Sequence, residues 1–359
     1  MKEILMISNM YPSKKYKHYG VFVENTAKIL KEHGYHVSVS ALKKKDTKLT
    51  KLLGYIWFYM KAIVLVIFNH YDYLYAHYVS HCALLIKIIK RIKPNMKVII
   101  NVHGNDVVPE NEHDKKFIPL VKEIMPMVDI CITPSTYFQN VMIQDYHLLP
   151  YKVKVFPSGG INQKVFQHIN HAKEQLHLDT NKITIGYVGR YEIRKGWDIF
   201  LEALHLIDCI DKFEIIMVGT GDEEKQADEL IKKYQLKVKK YPMQNQKELA
   251  KLYSAIDIFC FPTYRKSESL GLVGLEAMAC GAITIASNMA GPTSYIKDQI
   301  NGFFFEPENA YDLKEKLLHV SSLSDEKKEK IKENALKTVQ QYNVENISDI
   351  LLDIFDNID

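Results

Sequence analysis

Residues 3–12, "EILMISNMYP", residues 21–34, "VFVENTAKILKEHG", and residues 35–42, "YHVSVSAL", decide the fold. The first is a short apolar run that meets polar Ser8-Asn9 and then Pro12, the pattern of a buried strand entering a loop. In the second, Val23, Ala27 and Leu30 recur at helical spacing, and Gly34 closes the helix as a left-handed cap. The third reads as a strand. The strand signal returns in "DYLYAHY" (72–78), "KVIINVHG" (97–104), "VDICITPS" (128–135) and "KVKVFPSGG" (152–160), with helical or loop material between. Strands alternating with helices imply an α/β fold with a parallel sheet covered on both faces.

The theme restarts after residue 180 with "KITIGYVGR", a helix from about Trp197 to Leu206, "FEIIMVGTG", a polar helix, "IDIFCFPT" and "AITIAS". A chain of 359 residues exceeds the length at which one core stops growing, so two such domains are expected, at residues 1–160 and 161–342. Pro157-Ser158-Gly159-Gly160 and the polar segment around Gln163 to Thr180 read as the linker. Strand C-termini would face a cleft between the domains. "SDEKKEKIKENALK" reads as a charged surface helix opened by Ser324, and "VENISDILLDIF" as a final amphipathic helix.

The 47 Lys and Arg against 43 Asp and Glu leave a net charge of +4, which offers no general argument for nucleic-acid binding. Cys82, Cys131, Cys209, Cys260 and Cys280 are widely spread with no CxxC pair, so small buried hydrophobes in a reducing compartment are expected. The N-terminal apolar run is too short for a signal peptide, and a cytoplasmic protein is expected.

Residues 49–68 are apolar on nearly every side: a stripe from Leu49 to Ile67 at helical spacing is matched by Tyr55, Phe58, Leu65 and Phe68 opposite. Such a helix is either sandwiched inside the protein or placed at a membrane. The composition favours burial, because Lys61 interrupts a run near the lower limit for spanning. Lys43, Lys44, Lys45, Lys48 and Lys51 just before it would suit anionic headgroups, so peripheral membrane contact through residues 43–68 stays open.

The chemistry concentrates in "ESLGLVGLEAMACG", where Glu268 and Glu276 flank Ser269, Leu270, Gly271 and Leu272 at the start of a helix. Exposed amides and the dipole at a helix N-terminus favour phosphate. Two carboxylates beside a phosphate are tolerable if they accept hydrogen bonds from neutral hydroxyls, one set on each side of a diphosphate, which describes a nucleotide sugar. Positive charge for that diphosphate is available in "YVGRYEIRKG": Arg190 can fork across two phosphate oxygens and Lys195 acts as a point charge after Gly189. There is no Asp-x-Asp pair to hold a metal, and no cofactor is expected beyond the substrate. "VGTGDEE" lacks the third glycine of a dinucleotide fingerprint, so Gly219 and Gly221 read as a turn near the nucleoside or as plain loop geometry. In "NVHGND", His103 and Asp106 follow an apolar strand, where imidazole can serve sugar hydroxyls or an acceptor oxygen. Gly20, after the first strand, could let an acceptor or phosphate approach the backbone.

Together these residues resemble the retaining glycosyltransferases of family 4, which have the GT-B architecture of two Rossmann-like domains with the active site between them. The likeness is carried by Glu268-Ser-Leu-Gly271-Leu-Val-Gly-Leu-Glu276, similar to the E-x-F-G-x-x-x-x-E pattern with Leu270 in place of the aromatic. It extends to "GR…KG" at Gly189, Arg190, Lys195 and Gly196, the "HGND" loop, the "YP…YGVFVE" opening, "FPSGGIN…F" and "IDIFCFPT". The resemblance implies that Glu276 holds the nucleotide ribose, Glu268 the donor sugar, Arg190 and Lys195 the diphosphate, and that His103 contacts the transferred sugar. It implies transfer from a nucleoside-diphosphate sugar with retention, by same-face attack in which the leaving phosphate helps deprotonate the acceptor. It further implies that the last helix, within residues 343–359, crosses back to the N-terminal domain. Gly20 stands alone where many relatives carry a glycine pair, with Tyr19 before it.

The expectation is therefore a metal-independent retaining transferase using a UDP-sugar and acting on a lipid-linked or polymeric glycan. The opening points to bacterial capsule, exopolysaccharide or wall-polymer assembly. A nucleotide-sugar epimerase of the same architecture and a non-catalytic transferase-like subunit are the competing readings.

Overall fold

The structure, a computed structural model, describes residues 2–17, 19–157 and 159–358. The chain forms two compact units, Met1–Gly159 with Ile347–Asp359, and Gly160–Asn346.

The first unit is a six-stranded parallel sheet of β1 (Glu3–Ser8), β2 (His36–Ala41), β3 (Tyr73–His77), β4 (Lys97–Asn101), β5 (Ile130–Thr133) and β6 (Val153–Val155). Their order is β2-β1-β3-β4-β5-β6. The pairing is in register along the sheet, with Ile4 beside both Val37 and Tyr73. Strands covered on both faces must be apolar throughout, and every residue of β3 is buried. The helix Val21–Glu32 ends as the sequence indicates, with Gly34 at φ +86° donating its N–H to Lys31 O.

The final helix, Val344–Asp356, buries Ile347, Leu351, Ile354 and Phe355. Within the first unit Phe355 meets the rings of Tyr73 and Tyr75 edge-on at 6.0 and 5.2 Å, and the Tyr35 hydroxyl donates to Asp356.

The helix Lys48–Phe68 differs from the burial that its composition favours. Phe58, Ala62 and Val66 are buried against the first unit's core, with Tyr55, Tyr59, Ile63 and Leu65 packed beside them. The rest of its apolar surface is open: Trp57 is 71% exposed and Phe68 79%. A uniformly apolar composition cannot reveal that only one side finds a partner.

The second unit is also six parallel strands: β7 (Ile183–Val188), β8 (Phe213–Val218), β9 (Val238–Tyr241), β10 (Ile258–Phe261), β11 (Ile283–Ser287) and β12 (Phe303–Phe305), in the order β12-β11-β10-β7-β8-β9. The edge strands β9 and β12 were not legible as strands, because β9 is half-buried and lysine-bearing and β12 has three residues. The proposed linker also needs correcting. Ser158 lies outside the described residues, and the segment from Gln163 to Thr180 is packed, with Phe166, Ala172 and Leu178 buried in the second unit's core. Ser324 does cap the helix Asp325–Gln340, accepting from Lys327 N.

Candidate functional site

In a doubly wound sheet, ligands collect beyond the strand C-termini where the winding direction reverses. In the second unit that point lies between β7 and β10, which are adjacent although distant in sequence. The loop after β7 carries Gly189, Arg190 and Lys195, and the loop after β10 carries Thr263, Arg265 and Glu268. The fold thus brings two loops some 70 residues apart in sequence to one place, and the Lys195 Nζ–Glu268 Oε2 distance is 2.5 Å. Thr263 Oγ1 donates to the same carboxylate oxygen at 3.3 Å. The Lys195 and Glu268 side chains are only 17% and 12% exposed, so each charge depends on the other for compensation.

Past Glu268 the chain turns sharply into the helix Leu272–Ala279. Gly271 makes the turn at φ +79°, and a Cβ there would come within 2.5 Å of the Phe261 ring, so both conformation and space require glycine. No side chain caps this helix and no acidic residue occupies its first turn, which leaves its amide end suited to an anion. The Tyr295 hydroxyl donates to Gly271 O at 3.0 Å and fixes the turn from behind. Gly274 is required by packing, because the Tyr295 hydroxyl fills the space beside it.

Glu276 sits further along the same helix, half-buried, with Tyr253 Oη donating to Oε2 at 3.2 Å. Burial pushes its carboxyl up to about 7, and the tyrosine hydrogen bond opposes the shift. A carboxylate so short of donors is prepared to accept from hydroxyls that a ligand supplies. Arg190 is mostly exposed and pairs with Glu192 at 2.9 Å, while Arg265, largely buried, reaches Glu192 at 3.6 Å and Ser267 Oγ at 3.2 Å. Ser269 and Leu272 are half-buried at the turn. Leu270 needs correcting as a donor contact: its side chain is 1% exposed and belongs to the core. Gly219 follows β8 and packs against Gly189 O, a contact that forbids a side chain whatever else the turn does.

In the first unit the order reverses between β1 and β3. His77 ends β3, and its Nδ1 lies 3.1 Å from Nε2 of His103 in the loop after β4. The rings stack at 20°, and Phe22 packs on His103 at 4.3 Å. Burial holds both imidazoles neutral, His103 down to about 3 and His77 well below its ordinary value. A neutral imidazole both donates and accepts, which suits sugar hydroxyls.

Two acceptor-side expectations change. Asp106 is fully buried, and its carboxylate accepts from Val79 N at 3.0 Å and His103 N at 2.9 Å. It ties the start of the helix Val79–Ile92 to the loop that holds His103, and so positions that loop from within. Gly20, at φ +73°, lies where a Cβ would meet the Met10 and Tyr11 backbone at 2.7 Å. The chain's own crossing explains that glycine without any ligand.

Sequence reasoning passed over Thr263, Tyr253 and His77. Thr263 and His77 do carry a signal, since each stands at or just beyond a strand C-terminus, as Arg190 and His103 do. Tyr253, inside the helix Gln246–Ala255, gives no local signal because only tertiary packing brings it to Glu276.

Residues 169–338 match the family described as glycosyl transferases group 1, and residues 19–159 match glycosyltransferase family 4. A protein of the cps region of Klebsiella pneumoniae is 26% identical over 277 residues, covering 75% of each chain. Among solved structures, sucrose-phosphate synthase from Thermosynechococcus elongatus superposes with a TM-score of 0.80 at 19% identity, covering 100% of this chain and 99% of that one. Anabaena HepE in complex with UDP gives 0.77 at 18% identity, covering 99% and 100%.

Proposed function

This chain belongs to the family 4 glycosyltransferases of GT-B fold, and on that premise we propose that it transfers a sugar, with retention, from a UDP-sugar to a lipid-linked or polymeric glycan in bacterial surface-polymer assembly. The observation that carries the reading is the pair of carboxylates, Glu268 and Glu276, on either side of an uncapped helix start, with Lys195 already held on Glu268 at 2.5 Å.

The ribose diol donates to Glu276, whose carboxylate is short of partners. The diphosphate lies against the amides that open the helix Leu272–Ala279, with Arg190 and Lys195 supplying positive charge. Lys195 has three N–H donors, so it can keep Glu268 while it meets a phosphate oxygen. Glu268 Oε2 is engaged by Lys195 and Thr263, and Oε1 is offered to the donor-sugar hydroxyls. Within the first unit, neutral His103 is suited to donate to and accept from sugar hydroxyls. In the reaction the bond from the anomeric carbon to the diphosphate breaks as the acceptor oxygen bonds to the same face. The departing phosphate oxygen takes the acceptor's proton. Charge developing on the leaving group is stabilised by Arg190 and Lys195, and no metal is assigned a part.

A uridine donor is favoured by HepE, of the same fold, having been solved with UDP. An acceptor of surface-polymer type is favoured by the Klebsiella cps-region relative.

The test compares UDP-, GDP- and ADP-sugars by thermal shift, then measures binding and turnover in two variants. Glu276→Ala is expected to abolish donor binding. Glu268→Ala is expected to keep free-nucleotide binding and lose turnover, since it removes a sugar contact and releases Lys195 to phosphate. Equal loss of nucleotide affinity in both variants would refute this division of roles.

A further inference from the structure

The helix Lys48–Phe68 has 21 residues, about 31 Å at 1.5 Å per residue, and is long and apolar enough to cross a membrane. Its packing rules that placement out. Phe58, Ala62 and Val66 are buried in the first unit's core, and Lys61 Nζ donates to Val39 O at 2.8 Å. A helix fixed to protein along one side cannot be ringed by lipid, yet the opposite side shows Leu53, Ile56, Trp57, Met60 and Ile67, each at least half exposed. At 100° per residue these fall on one continuous face. Such a large exposed apolar face on a folded chain marks an interaction surface.

Charge identifies the partner. Residues 43–68 contain six lysines and a single acidic residue, Asp46, which is paired with Lys15. Lys43, Lys45, Lys48 and Lys51 are exposed at the N-terminal end of the apolar face. A groove of about 550 Å³ places Lys43 and Lys45 beside Leu53 and Trp57, so a phosphate over the ammonium groups would have its hydrocarbon chain over the apolar residues. A tryptophan in the middle of the face and lysines at its edge is the arrangement of a helix lying in a lipid interface.

We propose that the helix Lys48–Phe68, with the lysines at 43–51, docks the protein on an anionic phospholipid bilayer, lying in the headgroup plane with Trp57 inserted. This does not rest on the transferase reading, because no residue of the nucleotide-sugar site takes part.

The test uses the full chain with vesicles of phosphatidylcholine alone or mixed with phosphatidylglycerol. The chain has two tryptophans, and Trp197 is buried, so a change in emission on vesicle binding reports Trp57. The expected result is binding to the anionic vesicles, a blue shift, and quenching by lipids brominated in the acyl chain, all absent in Trp57→Phe for the fluorescence signals. Binding should weaken about fivefold for each lysine among 43, 45, 48 and 51 changed to serine, and fall with added salt. Combined Ile56→Ser, Trp57→Ser and Met60→Ser substitution should lower affinity on the order of tenfold or more. Because these three side chains are exposed, circular dichroism and thermal melting should stay unchanged. No binding to anionic vesicles would overturn the proposal. So would undiminished binding in the serine variants, or a dimer in analytical ultracentrifugation that those variants dissociate while vesicles leave it intact.

Discussion

The raised carboxyl of Glu276 makes nucleotide-sugar binding a proton-coupled event. In the free protein burial holds it near 7, so at pH 6 it carries a proton. Ribose hydroxyls donate to the charged form, which lowers its pKa in the complex, and binding must release that proton. If only the ionised form binds, the competent fraction is about nine-tenths at pH 8 and about one-thirtieth at pH 5.5, so Kd weakens about 30-fold, or ~2 kcal/mol. The assay is isothermal titration with the best-binding nucleotide sugar, whose two phosphates are both esterified and do not titrate in this range. Repeating it at pH 6 in buffers of different ionisation enthalpy should report about 0.9 proton released per ligand. Glu276→Gln, the uncharged isostere of the protonated carboxyl, should bind weakly at every pH with no such slope, which separates this carboxyl from Asp198, also raised by burial, to about 6. A flat Kd from pH 5.5 to 8 with no proton release in the parent protein would refute the reasoning.

Other outcomes follow from the same structure. The folded-state pKa of Glu276 lies above its unfolded value. The stability tied to its proton is therefore full below about 4.5 and is lost as pH rises through about 7. Unliganded Glu276→Gln should accordingly be more stable than the parent at pH 8, by on the order of 1–3 kcal/mol, and level with it near pH 4.5, read by denaturant melts. Gly271→Ala meets both a positive φ and the Phe261 ring, and should cost about 1–3 kcal/mol of stability together with nucleotide binding. Phe355→Ala removes a fully buried ring and should cost about 3–5 kcal/mol. Hydrogen exchange should show the loss in β1, β2 and β3 of the first unit before any strand of the second.

The four inner strands of the first unit, β1, β3, β4 and β5, are legible because each is a compact apolar run between polar loops, which is what a sheet covered on both faces demands, whereas the edge strands β2 and β6 show by apolar–polar alternation. The same rule passes over β9, whose "VKKY" carries two lysines and is half-buried throughout, and β12, too short to show a period. Glu268, Glu276 and Lys195 stand out because carboxylates and a lysine beside glycine turns have no role in a core. Sequence does not show that Lys195 and Glu268 touch, since that follows from β10 pairing with β7. Asp106 misleads in the opposite sense: beside His103 it resembles a site residue, but its partners are backbone amides that no sequence displays. For Lys48–Phe68 the composition is the same whether one side or both are covered, and only packing decides.

The most direct measurement is a crystal structure of the protein with a bound, unreactive nucleotide-sugar analogue. The expected result has the ribose hydroxyls within hydrogen-bond distance of Glu276, the diphosphate against the amides of Leu272 and Val273 with Lys195 beside it, and the sugar at Glu268. A nucleotide seated elsewhere, with Glu276 still bonded to Tyr253 alone, would contradict it.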